Sequence, residues 1–242
     1  MLLNAIFSGN MREALITFLL MLPTILLALS VHEAAHAYIA YKMGDPTARN
    51  LGRCTINPLK HLDPIGFLAM AFFGFGWAKP VPIYARNFEN HRKGMAISAL
   101  AGPVSHLLLA LVMGFFLGVT DLGYYYVTYV SMSETASIVF SYIGTFFFYG
   151  IWLNVSLAIF NLIPVPPFDG SRILSLLLPS KYYFKIMKYE QYSGIIFMGI
   201  VFILSRFFGI SLIDWIVTPI TGGIEWLFGK PAFEIFKAIW VK

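Results

Sequence analysis

Charge is what this sequence has least of. Lys and Arg number 17 and Asp and Glu 12, so only 12% of the 242 residues carry a formal charge. A soluble chain of this length carries about a quarter. The shortage, a hydrophobic fraction of 58% and a mean hydropathy of +0.74 exclude an ordinary water-soluble domain and predict a polytopic membrane protein. Cysteine is nearly absent: Cys54 alone excludes an internal disulfide framework and a Cys-rich metal site. No dense basic run exists, so the net charge of +5 reads as membrane topology and not as affinity for nucleic acid. The first ten residues lack a basic n-region and no small-residue cleavage site follows, which argues against a cleaved signal peptide. Internal repeats and low-complexity tracts are also missing.

What is present is a series of long uncharged stretches, each measured against the roughly 20 apolar residues that a span requires. Residues 1–12 predict a short interfacial segment. A first span runs over 13–41 with a kink at Pro23, and 95–120 gives a second. The stretch 135–168 is too long for one straight helix, and the prolines of "NLIPVPPFDG" must break it. C-terminal spans are expected within 191–229, with 215–229 the weaker candidate. The fold class is therefore all-α, with about five to six transmembrane helices in a single domain covering 1–242. Between the first two spans lies a loop, 42–93. Its uncharged "IGFLAMAFFGFGWA" (65–78) is too short to cross and predicts a re-entrant or interfacial element, while "VPIYARNF" predicts a strand. Lys and Arg placement sets the orientation: eight fall in 42–93, four in 169–190 and none in 121–134. The first two loops are then cytoplasmic and the third lies outside.

Against this background "VHEAAHAYIA" (31–40) is anomalous. An ionised carboxylate in a bilayer costs about 2.5–3.5 kcal/mol even on insertion scales, so Glu33 needs a reason to be there. On a helix His32 and His36 project from one face, one turn apart, where two imidazoles can hold one zinc ion. Glu33 beside them can then accept a proton from water. Catalytic zinc usually takes three protein ligands and keeps one position open. His106, in "AGPVSHLLLA", and Asp169, in "NLIPVPPFDG", are the candidates for the third.

The order of HEAAH in the first span, "AGPVSH" in a later one and "FNLIPVPPFDG" after a third resembles the site-2 protease family of intramembrane zinc metalloproteases, over about residues 20–190. The resemblance implies one zinc ion held by His32, His36 and Asp169, with Glu33 as general base and Asn161 contacting the substrate backbone near the metal. Many members carry Asn where His106 stands, and no PDZ or CBS module is present here. The implied activity is endoproteolysis of a locally unwound segment of a single-span membrane protein, within the bilayer of the cell membrane and toward its cytoplasmic face. The alternative is a zinc transporter or sensor using the same ligands. It needs donors on a path to both faces, and 121–134 offers only Asp121 and Glu134. A di-iron oxidase needs about eight histidines, and the chain has five.

Overall fold

The computed structural model describes residues 11–73, 76–190, 192–194, 196, 197, 199, 200, 203 and 212–240. They are mostly helical and form no sheet. In chain order the helices are α1 (Met11–Lys42), α2 (Thr47–Asn50), α3 (Pro58–His61), α4 (Pro64–Phe73), α5 (His91–Tyr129), α6 (Glu134–Leu162), α7 (Asp169–Leu177), α8 (Ser180–Met187) and α9 (Leu212–Trp240).

Three of them, α1, α5 and α6, are long and apolar enough to cross a membrane. Their outward faces are apolar too: Leu19, Leu108 and Phe115 are all exposed. Such surface would promote association in water, whereas acyl chains solvate it. Of the five to six spans expected, three are therefore present among the described residues. Most of 191–213 lies outside them, as do residues 1–10. The weaker candidate 215–229 belongs to α9, a 29-residue helix that takes Pro219 and Pro231 into its interior and does not meet the same criteria for crossing.

Two expectations about the loops need correction. The connection expected outside is shorter than 121–134, because α5 continues to Tyr129 and α6 begins at Glu134. "VPIYARNF" forms no strand: 81–84 is irregular and a 3₁₀ turn occupies Ala85–Asn87. Pro80 and Pro82 have no N–H to give a ladder. The neighbouring donors Val81 N and Tyr84 N bond carboxylates instead. The β contact among the described residues is an isolated bridge, Leu62 with Ala78. The uncharged 65–78 segment begins as helix α4.

The chain divides into two compact units. One comprises Met1–His106 with Ala158–Ser211 and contains every residue of the expected site. In it α1 ends at a glycine: Gly44 has φ +109°, its N–H bonds Tyr41 O, and Asp45 N–H bonds Ala40 O. A left-handed glycine after the last turn is a common way to close a helix. The break expected at "NLIPVPPFDG" falls where the prolines put it, with α6 ending two residues before Pro164. Gly170 then lets α7 start hard against that end, since a Cβ there would lie 2.3 Å from Leu162 O and 2.5 Å from Ile163 O. This close approach is what brings Asp169 back toward the spans. Arg92 donates to Leu178 O and Ser175 Oγ to Arg92 O (3.4 Å), which ties α7 to the start of α5.

The other unit comprises Leu107–Leu157 and Leu212–Lys242. Within it Gly114 and Gly118 admit α9 at close range: a Cβ on either would lie about 2.6–2.7 Å from Ile224 or Phe228 atoms. Small residues serve the same end at many membrane helix contacts. Aromatic rings fill the remaining space, Phe116 stacking on Phe147 at 5.5 Å and Tyr125 meeting Phe233 at 5.2 Å.

Candidate metal centre

The HEAAH segment sits in the interior of α1, so helical pitch alone places the two imidazoles on one face. His32, Glu33 and His36 are each less than 9% exposed. His36 Nε2 lies 2.9 Å from His32 Nε2, and Asp169 Oδ2 lies 3.3 Å from the first histidine's Nε2 and 3.2 Å from the second's. Three donor atoms thus form a small triangle. Donors about 2.0–2.2 Å from a tetrahedral zinc are separated by roughly 3.3 Å, so the triangle has the dimensions of one face of that tetrahedron.

The electrostatics point the same way. Asp169 Oδ2 is buried and makes no hydrogen bond of acceptable geometry, although two imidazole nitrogens face it within 3.3 Å. His36 Nδ1 donates to Ser98 O at 2.7 Å, which leaves its Nε2 with a lone pair directed at the triangle. Lone pairs converging without a proton or cation among them repel. The donor set of two imidazoles and one carboxylate, all buried, therefore fits zinc.

The surroundings of the triangle come from α5. A Cβ on Gly102 would lie 2.4 Å from His32 Cε1 and 2.5 Å from His36 Nε2, so only a glycine leaves room for both rings. His106, one helical turn further on, is 1% exposed and packs its ring on His32 at 4.7 Å between centroids. It stands beside the triangle and outside the group of converging donors. Of the two candidates for the third donor, Asp169 is the one that converges. Glu33 points to the loop, where its Oε2 accepts the Val81 N–H at 2.8 Å. Asn161 is half-buried in the last turn of α6.

The residues that sequence reasoning missed are Gly102, Ser98 and Val81. Two of them act through backbone atoms, and the third acts by having no side chain. A glycine before a proline inside an uncharged run, "AGPVSH", was the available signal for the first.

Two buried imidazoles in a candidate span and a carboxylate at the start of α7 converge closely enough to hold a metal ion. Comparison with known proteins makes the class more specific. Residues 18–205 match the profile of Peptidase family M50. A Bacillus subtilis (strain 168) protein named "Putative zinc metalloprotease YwhC" is 42% identical over 177 residues, covering 72% of this chain and 76% of its own. A Mycolicibacterium smegmatis protein named "Putative zinc metalloprotease Rip2" is 28% identical over 162 residues, 63% of this chain and 55% of its own. No solved structure matches. The chain belongs to peptidase family M50, and it is a membrane zinc metallopeptidase.

Proposed function

We propose that the whole chain works as one transmembrane protease domain that cleaves a locally unwound span of a single-span membrane protein. The cut falls inside the bilayer, toward the cytoplasmic face of the cell membrane. In this reading His32, His36 and Asp169 hold the zinc, Glu33 is the general base and Asn161 contacts the substrate backbone. The observation that carries it is the convergence of the three donors beside Glu33, in helices that carry almost no other charge.

Zinc, when bound, supplies a Lewis acid that polarises the scissile carbonyl and lowers the pKa of the attacking water toward 7. Glu33 takes that water's proton on the oxygen that Val81 does not engage, and later passes it to the leaving nitrogen as the C–N bond breaks. His36 keeps its orientation through Ser98 O, and His32 through packing on His106. An intact helical substrate hides its carbonyls in its own hydrogen bonds, so it must unwind before it can react. Asn161, at a helix end next to the proline break, has an amide of the kind that can pair with peptide groups freed by unwinding.

The test uses purified full-length protein and a designed single-span polypeptide whose apolar helix is interrupted by Gly-Pro. Glu33→Gln keeps the size and removes the base, so cleavage should vanish while zinc stays stoichiometric. Cleavage at the wild-type rate would remove Glu33 from the role. Treatment with a chelator should abolish cleavage and added zinc restore it, with helical content unchanged throughout.

A further inference from the structure

The loop between α1 and α5 reaches the site through the Val81 amide, and that bond has an unusual setting. Val81 lies in "KPVPIY" between Pro80 and Pro82, neither of which has an N–H. Its amide is the single backbone donor across the three residues, and it is given to Glu33 Oε2. Three residues on, Tyr84 N–H donates to Asp45 Oδ2 at 2.7 Å. Asp45 follows α1 at its glycine turn and is fully buried. Its other oxygen, Oδ1, accepts from Thr47 N (3.0 Å), Thr47 Oγ1 (2.5 Å) and Asn87 Nδ2 (2.7 Å). The near side of the strap is fixed as well: Arg53 donates to Lys79 O (2.5 Å), and Lys79 N–H to His61 O (2.7 Å).

These bonds close a ring. From Glu33 the path runs up α1 to Asp45, across to Tyr84, back along 81–84 and into Glu33 again. Nine residues of helix from Glu33 to Lys42 rise about 13.5 Å. Three residue steps from Val81 to Tyr84 can span at most about 10 Å of the return, and the carboxylate side chains at both ends contribute to the rest. Two prolines fix φ within the strap, so a position set at Tyr84 is passed to Val81 with little slack.

The geometry points to Asp45 as a positioning residue for the reaction: by holding Tyr84 it sets where the Val81 N–H stands, and so which way the Glu33 carboxylate faces. The inference rests on Glu33 being the base. Its chemistry is directional. One Glu33 oxygen is fixed by a backbone donor, which leaves the other aimed at the position from which a proton is taken. Nothing in this role requires Asp45 to touch substrate or metal.

Asp45→Asn separates this role from a merely structural one. A single oxygen remains, and three hydrogen bonds against one hold it toward Thr47 and Asn87. The amide nitrogen then faces the Tyr84 N–H, donor against donor, while the turn after α1 stays satisfied. With the full-length zinc enzyme and the designed Gly-Pro single-span polypeptide, kcat should fall roughly 10- to 100-fold, as misplacement of a catalytic group does. KM should stay within about twofold and zinc at full stoichiometry, since neither substrate binding nor the metal ligands are touched. In metal-free protein the peptide 79–87 should exchange its amide hydrogens faster than in the wild type. Val81→Pro removes the donor itself and should reproduce the kcat loss; it decides the matter if Asp45→Asn does not fold. Asn57→Ala breaks a cap elsewhere in the loop, where Asn57 Oδ1 accepts from Leu59 N, and should keep the wild-type kcat. Normal kcat in a folded Asp45→Asn or Val81→Pro protein overturns the inference, as does an equal loss in Asn57→Ala. Glu33→Gln, run alongside, separates the two failures. If it is active, the base assignment falls. If it is inactive while Asp45→Asn is normal, only the positioning role falls.

Discussion

At the residue scale, the most informative position after the proposed ligands is Gly102. It has no side chain, and the two imidazoles occupy the space where one would be. Gly102→Ala should favour α5 as a helix, because alanine is the better helix former. It should nevertheless force the His32 and His36 rings apart. The expected result is zinc affinity weaker by about 10- to 100-fold in a protein with undiminished helical content, the size of effect typical of disturbed groups around a metal. Competition with a fluorescent chelator, read beside circular dichroism, checks both halves. Asp169→Ala should lower zinc occupancy and cleavage together, much as His36→Ala would. Stoichiometric zinc with normal cleavage in that variant would exclude Asp169 as a ligand. His32, Glu33 and His36 stood out in the sequence because polar groups in an uncharged run demand a partner, whereas Asp169 was one of two candidates for the third donor until the family resemblance favoured it. Gly102, Ser98 and Val81 did not stand out. A carbonyl, an amide and a missing methyl leave no trace in residue chemistry, and only the fold shows which ones meet.

At the element scale, the loop 42–93 is where the sequence was read least well. The stretch "VPIYARNF" after Lys79 and Pro80 was expected to be a strand, but Pro80 and Pro82 cannot donate, and the donors between and after them are taken by Glu33 and Asp45. Tertiary hydrogen bonds outweighed local propensity, as they commonly do for strands. The helices were easier: α1, α5 and α6 match the long uncharged runs, and their ends moved by a few residues, the outer end of α5 by nine. Burial works against the charge on Asp45, but hydrogen bonds from Thr47, Asn87 and the Tyr84 amide outweigh it and hold the carboxyl below its ordinary value of 3.8. The ionised form is thus favoured by the fold. Its contribution is complete above about pH 4 and is lost as the pH falls further through the folded value. Protection of peptide 79–87 against hydrogen exchange, taken relative to the intrinsic rate at each pH, should fall on acidification below about pH 4. In Asp45→Asn it should be low already and lack that step. Gly44→Ala tests the turn before the hub: with φ at +109°, an added Cβ should destabilise by about 1–2 kcal/mol, seen as a melting temperature lower by several degrees.

At the scale of the whole molecule, orientation can be tested directly. The proposal puts 42–93 and 169–190 on the cytoplasmic side and the short connection after α5 outside. With Cys54 replaced, Leu59→Cys and Leu177→Cys should react with an impermeant thiol reagent only in inverted vesicles, and Met132→Cys only in intact cells. All three side chains are among the most exposed in the protein. Labelling of Leu59→Cys and Leu177→Cys from opposite sides would be incompatible with one site shared by α1 and α7. That sharing has a further consequence, in the order of synthesis. His32 and His36 enter the membrane with the first span, whereas Asp169 is translated 133 residues after His36, once α5 and α6 have been made. A nascent chain that has inserted only its first spans therefore holds two imidazoles and no third donor. On the proposed ligand set, such a chain is a weak metal binder and an inactive one. On that ligand set, a protease that could attack neighbouring spans, including those of its own nascent copies, stays silent until the start of α7 has been made.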